Sequence, residues 1–309
     1  MAKQKICIAG GHGLVGTSLV KRLAQDGYEF VASADEHIDL RDYEVTNGFF
    51  EKVQPDCVIL VAAKHGGIDE YESKPVEYFR NNLLICTNTI TASFDAGIRK
   101  LINIGASCVY GSDPTCIYVE EDYDKQAVQK STEPYGLAKL SGMKLCEYYN
   151  KEYGTDYISL LPVNMYGDGK GYKVDFSSVL PAMIQRFHNA KENDLPSVEI
   201  WGDGKNTREF LFVDDFIDAV EVIIETNSFE SHLFNICGFE NISIHKLAEV
   251  VADVIGYKGE IHNDLSKPSG ASRGRINSSK IYKLGWKPKT SIRQGVEQFY
   301  RNYVMEMKG

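Results

Sequence analysis

Tyr135 and Lys139 are the two residues whose types and spacing most directly suggest chemistry. They stand four residues apart in Tyr135-Gly-Leu-Ala-Lys139, so on a helix both side chains lie on the same face. A nearby ammonium group favours the phenolate and lowers the pKa of the phenol. Because an unperturbed phenol, with a pKa of about 10, is a poor acid or base at neutral pH, the pair predicts a proton-transfer device. The same spacing arises by chance in many chains, so this prediction depends on the surrounding motifs.

A glycine-rich segment near the N-terminus predicts a dinucleotide-binding unit. A short apolar strand at residues 6–9 runs into Gly10-Gly-His-Gly13-Leu-Val-Gly16, and an amphipathic helix follows over 17–26. In such a unit the first glycine permits a tight turn, the second lets the backbone approach a pyrophosphate, and the third lets the helix pack on the strand. The helix N-terminus then faces the phosphates. The residues expected at the cofactor are Gly10, Gly13, Leu14, Val15 and Gly16.

The composition excludes several classes of protein. A net charge of −9 over 309 residues argues against a nucleic-acid or anionic-membrane surface, although a local cationic pocket stays possible. Seven cysteines without a C-x-x-C pair indicate neither a disulfide framework nor a metal site, and they favour a reducing, cytoplasmic location. The first residues lead directly into the first strand, and no apolar run approaches 18 residues, so we expect no secretion and no membrane span.

Strand and helix signals alternate through the first half of the chain, with strands predicted at 6–9, 29–34, 57–61, 100–105 and 157–162. This alternation predicts an α/β fold with a doubly wound parallel sheet of the Rossmann type, whose ligands bind at the carboxyl ends of the strands. The regular pattern weakens after Pro162. We therefore expect a cofactor domain over 1–165, with a return segment near 211–240, and a smaller C-terminal α/β substrate cap over 166–210 and 241–309.

Several further motifs carry a family resemblance over nearly the whole chain: Ala62-Ala-Lys-His-Gly-Gly-Ile68, Glu133-Pro-Tyr-Gly-Leu-Ala-Lys139, Val163-Asn-Met-Tyr-Gly167, Trp201-Gly-Asp-Gly204, Arg208-Glu-Phe210 and Lys267-Pro-x-Gly270. With these motifs the chain resembles the extended short-chain dehydrogenase/reductase enzymes that act on nucleotide sugars. Within them it is most similar to the GDP-L-fucose synthases, which are 3,5-epimerase/4-reductases.

The resemblance implies roles for the residues at the predicted sheet edge. Tyr135 would donate a proton to the C4 oxygen of the sugar as hydride arrives, and Lys139 would hold the ribose and tune the tyrosine. Ser107 would hydrogen-bond the sugar oxygen, but the usual serine position is taken by Ala106. A strand-end hydroxyl without a catalytic role is therefore the alternative for Ser107.

The epimerase half of the family chemistry is less well supported by the residues. Cys108 corresponds to the thiol that moves protons at C3 and C5, and this thiol needs a partner acid. The family takes that acid from a histidine whose position here is Ser178. A hydroxyl cannot easily protonate an enolate at neutral pH, so Cys108 is alternatively a packing residue. His65 and His188 are possible substitutes for the missing acid.

The remaining implied contacts belong to the cofactor and the substrate. Arginine side chains match phosphate oxygens, so a cationic clamp for a nucleotide diphosphate is expected in the cap, together with a sugar-selecting loop at 167–175. The cofactor residues implied are Ala62, Ala63, Lys64, Pro162 and Asn164. The substrate residues implied are Ser107, Asn164, Ser178, Arg186, Trp201, Arg208, Lys267 and Arg273.

The sequence favours NAD(H) over NADP(H). The GDP-L-fucose synthases place arginines in the glycine loop and after the second strand, where this chain has His12 and the acidic pair Asp35-Glu36. A carboxylate near the end of the second strand accepts hydrogen bonds from a free ribose diol and repels a 2′-phosphate. Arg41 or Lys64 folding back onto a phosphate is the alternative.

Together these observations predict an oxidoreductase that transfers hydride between a nicotinamide cofactor and C4 of a GDP-linked hexose or heptose. Its most plausible reaction is reduction of a 4-keto-6-deoxy sugar, with epimerase activity weakened or lost. The alternatives are full GDP-L-fucose synthase activity, a GDP-sugar 4-dehydrogenase working in the oxidative direction, and a non-catalytic nucleotide-sugar-binding protein. The resemblance further implies a homodimer.

Overall fold

A computed structural model describes residues 4–167, 178–267 and 273–308. Its centre is a six-stranded sheet in the order β10-β6-β4-β3-β1-β2, in which every neighbouring pair is parallel. The predicted doubly wound α/β fold is thereby confirmed. The strands of this sheet are β1 (Lys5–Ala9), β2 (Glu29–Ala32), β3 (Cys57–Leu60), β4 (Lys100–Ile104), β6 (Asp156–Pro162) and β10 (Leu233–Ile236).

Helices cover both faces of this sheet, and further helices lie outside it. Their bounds are α1 (Leu14–Gln25), α2 (Tyr43–Val53), α3 (Ile68–Ser73), α4 (Pro75–Asp95), α5 (Glu133–Tyr153), α6 (Val179–Glu192), α7 (Val213–Glu225), α8 (Ile244–Ile255), α9 (Ser279–Lys283) and α10 (Ile292–Lys308).

Alternate residues of the central strands enter two different cores, as a sheet covered on both faces requires. Ile6 and Ile8 of β1 pack into one core with α1 and α7. Cys7 and Ala9 of the same strand pack into the other, with α2 and α4. The near-continuous apolar runs of these strands thus follow from burial on both sides, and they hold the carboxyl ends of the strands at one edge.

Short strands outside the central sheet form three small sheets, in the orders β11-β9-β7, β12-β8 and β13-β5. Helices α6, α8 and α10 pack over a third apolar core beside them. The strands are β5 (Ile117–Tyr118), β7 (Asn164–Tyr166), β8 (Ser197–Trp201), β9 (Thr207–Phe212), β11 (Asn241–Ser243), β12 (Glu260–Asp264) and β13 (Arg275–Ile276).

Local sequence explains the ends of α5, the helix that carries the tyrosine and lysine. Pro134 lies in its first turn, where a missing N–H costs nothing, and Gly154 ends it in the left-handed conformation at φ 62°, which favours glycine.

Across the parts of the chain that the structure describes, we find no helix with the length and apolar character needed to cross a bilayer.

Candidate active site

The glycine loop lies where the strand order reverses, between β1 and its neighbours β2 and β3. Gly10 has φ +121°, and a Cβ atom there would lie 2.7 Å from Val61 Cγ2 and 3.0 Å from the amide nitrogen of Ala62. A Cβ at Gly16 would lie 2.6 Å from Gly11 Cα. Only glycine fits at both positions, so the loop brings the N-terminus of α1 close to the edge of β3.

Gly13 differs from the other two glycines because it faces open space. It is the N-cap of α1, and a Cβ built on it meets no heavy atom within 4 Å. The space next to a helix N-terminus suits a pyrophosphate, so the residues present fit a dinucleotide. Leu14 and Val15, which follow, also pack against the core beneath the sheet.

Replacing Gly13 with alanine is therefore expected to leave the fold intact and to weaken cofactor binding. The new methyl group meets no protein atom but occupies the approach of the pyrophosphate, so we expect the Kd of the dinucleotide to rise about tenfold, or about 1.4 kcal/mol. Isothermal titration and thermal melting check both halves. Gly16→Ala is the contrasting variant, expected to lower the melting temperature. Equal melting and equal affinity in Gly13→Ala and the parent chain would contradict this assignment.

Tyr135 and Lys139 come together at the carboxyl edge of the sheet, as the spacing predicts. The Lys139 Nζ atom lies 5.8 Å from the centre of the Tyr135 ring, and it donates a hydrogen bond of 2.7 Å to the carbonyl of Ile104, the last residue of β4. Lys139 is almost fully buried at 2% exposure, and this burial lowers its pKa. The strand end thus orients the lysine beside the tyrosine.

The expected lowering of the phenol pKa is wrong for this arrangement. Burial raises the pKa of Tyr135 well above its ordinary value, and the neighbouring Cys108, Tyr71 and Cys86 raise it further. Low polarity around the side chain disfavours the phenolate. Tyr135 is therefore held as a neutral phenol, which is the form that donates a proton.

Ser107 and Cys108 follow β4 in a short 3₁₀ turn and are both buried. Ser107 lines a cleft at the sheet edge, together with Asn164 of β7. Cys108 instead lies beneath the first turn of α5, where its Sγ atom is 3.3 Å from the position that a Cβ on Gly136 would take. Burial raises the pKa of the Cys108 thiol, so this cysteine is a poor source of thiolate.

The narrow cleft beside Ser107 is lined by two arginines, Arg208 of β9 and Arg273. Burial, reinforced by the charge of Arg273, lowers the pKa of Arg208 to about 10. Burial also lowers the pKa of Arg273, whose Nε atom is buried without a hydrogen-bond partner. Two neighbouring guanidinium groups, one of them with a buried Nε atom that lacks a partner, form a site suited to an anion.

Other residues implied for the substrate lie away from this cleft lining. Trp201 is exposed at the end of β8, with the Lys267 Nζ atom 5.7 Å from its ring centre. Arg186 is exposed on α6 and donates to the carbonyl of Glu199 over 2.8 Å. Ser178 is the N-cap of α6. Their roles stay predictions, and residues 168–175 of the expected sugar-selecting loop lie outside the described residues.

The structure adds Glu209 to the cleft, a residue that the sequence reasoning passed over although it stands inside the quoted Arg208-Glu-Phe210 motif. Burial raises the pKa of Glu209 to about 7. Its Oε1 atom accepts a hydrogen bond of 3.4 Å from the amide of Ile276, while Oε2 is buried without a partner. A carboxyl group in this state is able to bond a ligand hydroxyl or amine.

The loop after β3 brings Ala62, Ala63 and Lys64 beside the glycine loop, since the amides of Val61 and Ala62 both bond to the carbonyl of Ala9. Pro162 ends β6 at the same edge of the sheet.

Among the described residues, no group of three His, Cys, Asp or Glu side chains is arranged to hold a metal ion.

Comparison with known proteins gives relatives along nearly the whole chain. The GDP-L-fucose synthase of Sinorhizobium fredii (strain NGR234) is 36% identical over 301 residues, which cover 97% of this chain and 96% of the relative. A solved GDP-mannoheptose C4 reductase from Campylobacter jejuni, with NADP bound, is 30% identical, with a TM-score of 0.88 and coverage of 98% of this chain and 99% of that one. A GDP-D-glycero-L-gluco-heptose synthase from the same organism, solved in the presence of NADPH, is 28% identical, with a TM-score of 0.89 and coverage of 98% and 99%.

The prediction of NAD(H) over NADP(H) is wrong. The two similar solved structures carry NADP or were obtained with NADPH, and no finding favours NAD. The physical reason lies at Asp35. Strand β2 already ends at Ala32, and Ser33 accepts a hydrogen bond of 2.9 Å from the amide of Gly10. Asp35 stands in the following turn with an exposed carboxylate that pairs with His12 at 3.3 Å, so it does not present a carboxylate at the strand end.

The family profile matches residues 6–237, from the first strand through the last strand of the central sheet. This range contains the glycine loop, the tyrosine and lysine pair, and Arg208, while Arg273 follows it. By this match, and by the identity to its relatives, the chain belongs to the NAD dependent epimerase/dehydratase family.

Proposed function

We propose that this chain is an NADP(H)-dependent oxidoreductase that reduces the C4 ketone of a GDP-linked 4-keto sugar, a hexose or a heptose. The observation that carries the proposal is the position of Tyr135 beside Lys139, at the sheet edge that also holds the glycine loop. The names of the similar proteins, which are GDP-L-fucose synthases and GDP-heptose enzymes, support the class of substrate.

Each residue of the site has a distinct task in this reaction. When bound, the nicotinamide supplies a hydride to the carbonyl carbon. Tyr135 gives its proton to the carbonyl oxygen as the hydride arrives. Lys139, fixed by the Ile104 carbonyl, stabilises the phenolate that forms. Ser107, at the lining of the cleft, would orient the oxygen of the sugar.

The diphosphate of the substrate is assigned to Arg208 and Arg273. A pyrophosphate between the two guanidinium groups would remove their mutual repulsion and supply an acceptor for the buried Nε atom of Arg273. The carboxyl group of Glu209, next to Arg208 in the lining of the same cleft, would accept a hydrogen bond from the sugar or the base.

Reduction without 3,5-epimerisation is the form of the activity that the residues favour. Cys108 is buried with a raised pKa, and Ser178 offers no imidazole to act as its partner acid. Full GDP-L-fucose synthase activity is the second candidate, because several relatives carry that name. Incubation with GDP-4-keto-6-deoxymannose and NADPH in heavy water separates the two. Deuterium at C3 and C5 of the product would favour the synthase, and its absence would favour a pure reductase.

The proposal itself is tested by following NADPH absorbance with GDP-4-keto-6-deoxymannose, and with the matched UDP-linked 4-keto sugar as control. We expect oxidation of NADPH with the GDP sugar and formation of an alcohol at C4. Failure to oxidise NADPH or NADH with any GDP-linked 4-keto sugar, while such sugars bind tightly, would instead favour a nucleotide-sugar-binding protein.

The proposal also covers the domain boundaries, the oligomeric state and the location of the chain. The cofactor domain is assigned to 1–165 with the return at 211–240, and the cap to the remainder. A homodimer through α4 and α5 would cover Phe79 and Leu137, which are partly exposed on these packed helices. A reducing, cytoplasmic location suits the seven free cysteines. Light scattering of the purified chain is expected to give twice the monomer mass if the chain forms this dimer.

A further inference from the structure

Gln129 lies where the cleft meets the helix that carries Tyr135. It directly precedes the 3₁₀ turn at Lys130–Thr132, which leads into α5, and it is buried at 8% exposure. A buried amide group needs hydrogen-bond partners, so the partners of its side chain indicate which part of the site Gln129 serves.

The main chain of Gln129 joins the turn after β4 to the start of α5. Its amide donates a hydrogen bond of 3.0 Å to the carbonyl of Cys108, and its carbonyl accepts one of 3.1 Å from the amide of Thr132, the N-cap of α5. Both bonds use main-chain atoms, so a new side chain at position 129 can keep them. The side chain therefore has a role that can be tested apart from the entry of α5.

The side chain of Gln129 contacts Arg273. Its Oε1 atom accepts a hydrogen bond from Arg273 Nη2, and its Nε2 atom donates one of 2.9 Å to the hydroxyl of Ser131. A guanidinium group only donates hydrogen bonds, and an amide has a single acceptor oxygen. Arg273 therefore requires the oxygen on its side, and Ser131 receives the nitrogen.

The backbone beside Arg273 is also fixed. A Cβ atom on Gly274 would lie 2.5 Å from the carbonyl oxygen of Cys116, and the amide of Arg275 donates to the same carbonyl over 2.9 Å. Strand β13 is thus held closely against β5. With the backbone held, the hydrogen bond to Gln129 determines where the Arg273 guanidinium lies.

Neither arginine of the cleft has an acidic partner. Arg208 donates to the carbonyl of Thr207 over 2.7 Å, and Arg273 donates to Gln129. Within the described part of the chain, no acidic side chain pairs with either one, and Glu209 bonds to an amide of β13 instead. Cations shielded from water favour an anionic partner. A neutral amide at position 129 orients one of them without cancelling its charge.

We propose that Gln129 is a positioning residue for the diphosphate. It directs the Arg273 guanidinium into the cleft and, because it is neutral, leaves the positive charge of that group to the ligand. Gln129 does not line the cleft itself, so it acts through Arg273. The inference rests on the proposed function, which assigns the diphosphate to Arg208 and Arg273.

The first test is Gln129→Leu, which keeps the approximate size of the side chain and removes the acceptor. We expect the Kd for GDP to rise on the order of tenfold, while the Kd values for guanosine and NADPH stay unchanged in titration calorimetry. In an Arg273→Met background the same change should add nothing, because residues that act through one contact are not additive. Gln25→Leu, an exposed position on α1, is the control and should bind GDP as the wild type does.

The second test is Gln129→Glu, which keeps an oxygen for Arg273 and adds a negative charge. The Ser131 hydroxyl can donate to this carboxylate, so the local bonds are retained. We expect the Kd for GDP to rise on the order of tenfold because the guanidinium is already neutralised. The melting temperature of the ligand-free protein should not fall, since a shielded cation gains a counter-charge. A GDP affinity equal to that of the wild type would overturn the inference.

The outcomes also separate this inference from the proposed function. Wild-type GDP affinity in Gln129→Leu, beside a weakened Arg273→Met, would overturn the inference and leave the proposed function standing. Equal losses of affinity for GDP, guanosine and NADPH in Gln129→Leu would indicate a general structural role and would also overturn it. An unchanged GDP affinity in Arg273→Met would instead count against the diphosphate assignment, and the inference would fall with it.

Discussion

Tyr135→Phe is expected to lower kcat of the proposed reduction by about a thousandfold, within the range typical of general acid catalysis. The change removes the hydroxyl that gives its proton to the carbonyl oxygen, while the ring keeps its contacts with His65 and Tyr71. Because the shape of the site is kept, the Kd values for NADPH and for GDP should change by less than about threefold, or roughly 0.7 kcal/mol. Steady-state kinetics with calorimetry on the same preparation measures both.

The control for this change is Tyr148→Phe, which removes an exposed phenol from the same helix and should leave kcat unaltered. Wild-type kcat in Tyr135→Phe would show that the proton comes from another group. Loss of NADPH binding together with kcat would instead indicate that the hydroxyl holds the cofactor.

Arg208→Met and Arg273→Met are expected to weaken GDP binding strongly and separately. Hydrogen bonds to a charged partner contribute roughly 1.5–3 kcal/mol each, so the Kd for GDP should rise on the order of tenfold to a hundredfold in either variant. Methionine keeps much of the apolar length of the side chain and removes the charge. Titration calorimetry with GDP, and with guanosine as a ligand that lacks phosphate, tests whether the loss depends on the diphosphate.

Without ligand, Arg208→Met is expected not to lower the melting temperature of the protein. The pKa of Arg208 is lowered to about 10 by burial and by Arg273, which means that the charged form is disfavoured by folding at neutral pH. Arg208→Met should therefore melt no lower than the wild type without ligand, and it should gain less stability when GDP is added. Arg301→Leu, on an exposed part of α10, is the control. An unchanged GDP affinity in both pocket variants would contradict the assignment of the diphosphate.

The sequence predicted the central strands well because their signal is local. Apolar runs buried on both faces are visible without knowledge of the fold, and the predicted strand at 57–61 differs from the observed Cys57–Leu60 by one residue. The predicted helix at 17–26 begins at Leu14 in the structure. Its first turn was missed because Leu14, Val15 and Gly16 also belong to the glycine motif, where a loop was expected.

The features that sequence reasoning missed depend on contacts between distant segments. The direction of Asp35 is set by a turn in which the Ala34 amide bonds to the Gly10 carbonyl over 3.2 Å, and no local pattern shows this. The raised pKa of Tyr135 results from burial among residues of α3, α4 and the turn after β4. Arg208 and Arg273 are far apart in the chain. The motif match alone did not show that these two arginines line one cleft, or that Arg186 and Trp201 lie outside its lining.

The most direct test of the account is a single turnover with NADPH that carries deuterium at the transferring position of the nicotinamide ring. We expect one deuterium at C4 of the GDP sugar for each cofactor oxidised, with the rate of transfer lost in Tyr135→Phe. A protein that binds both NADPH and the 4-keto sugar but transfers no deuterium to C4, or that transfers it equally well in Tyr135→Phe, would contradict the account.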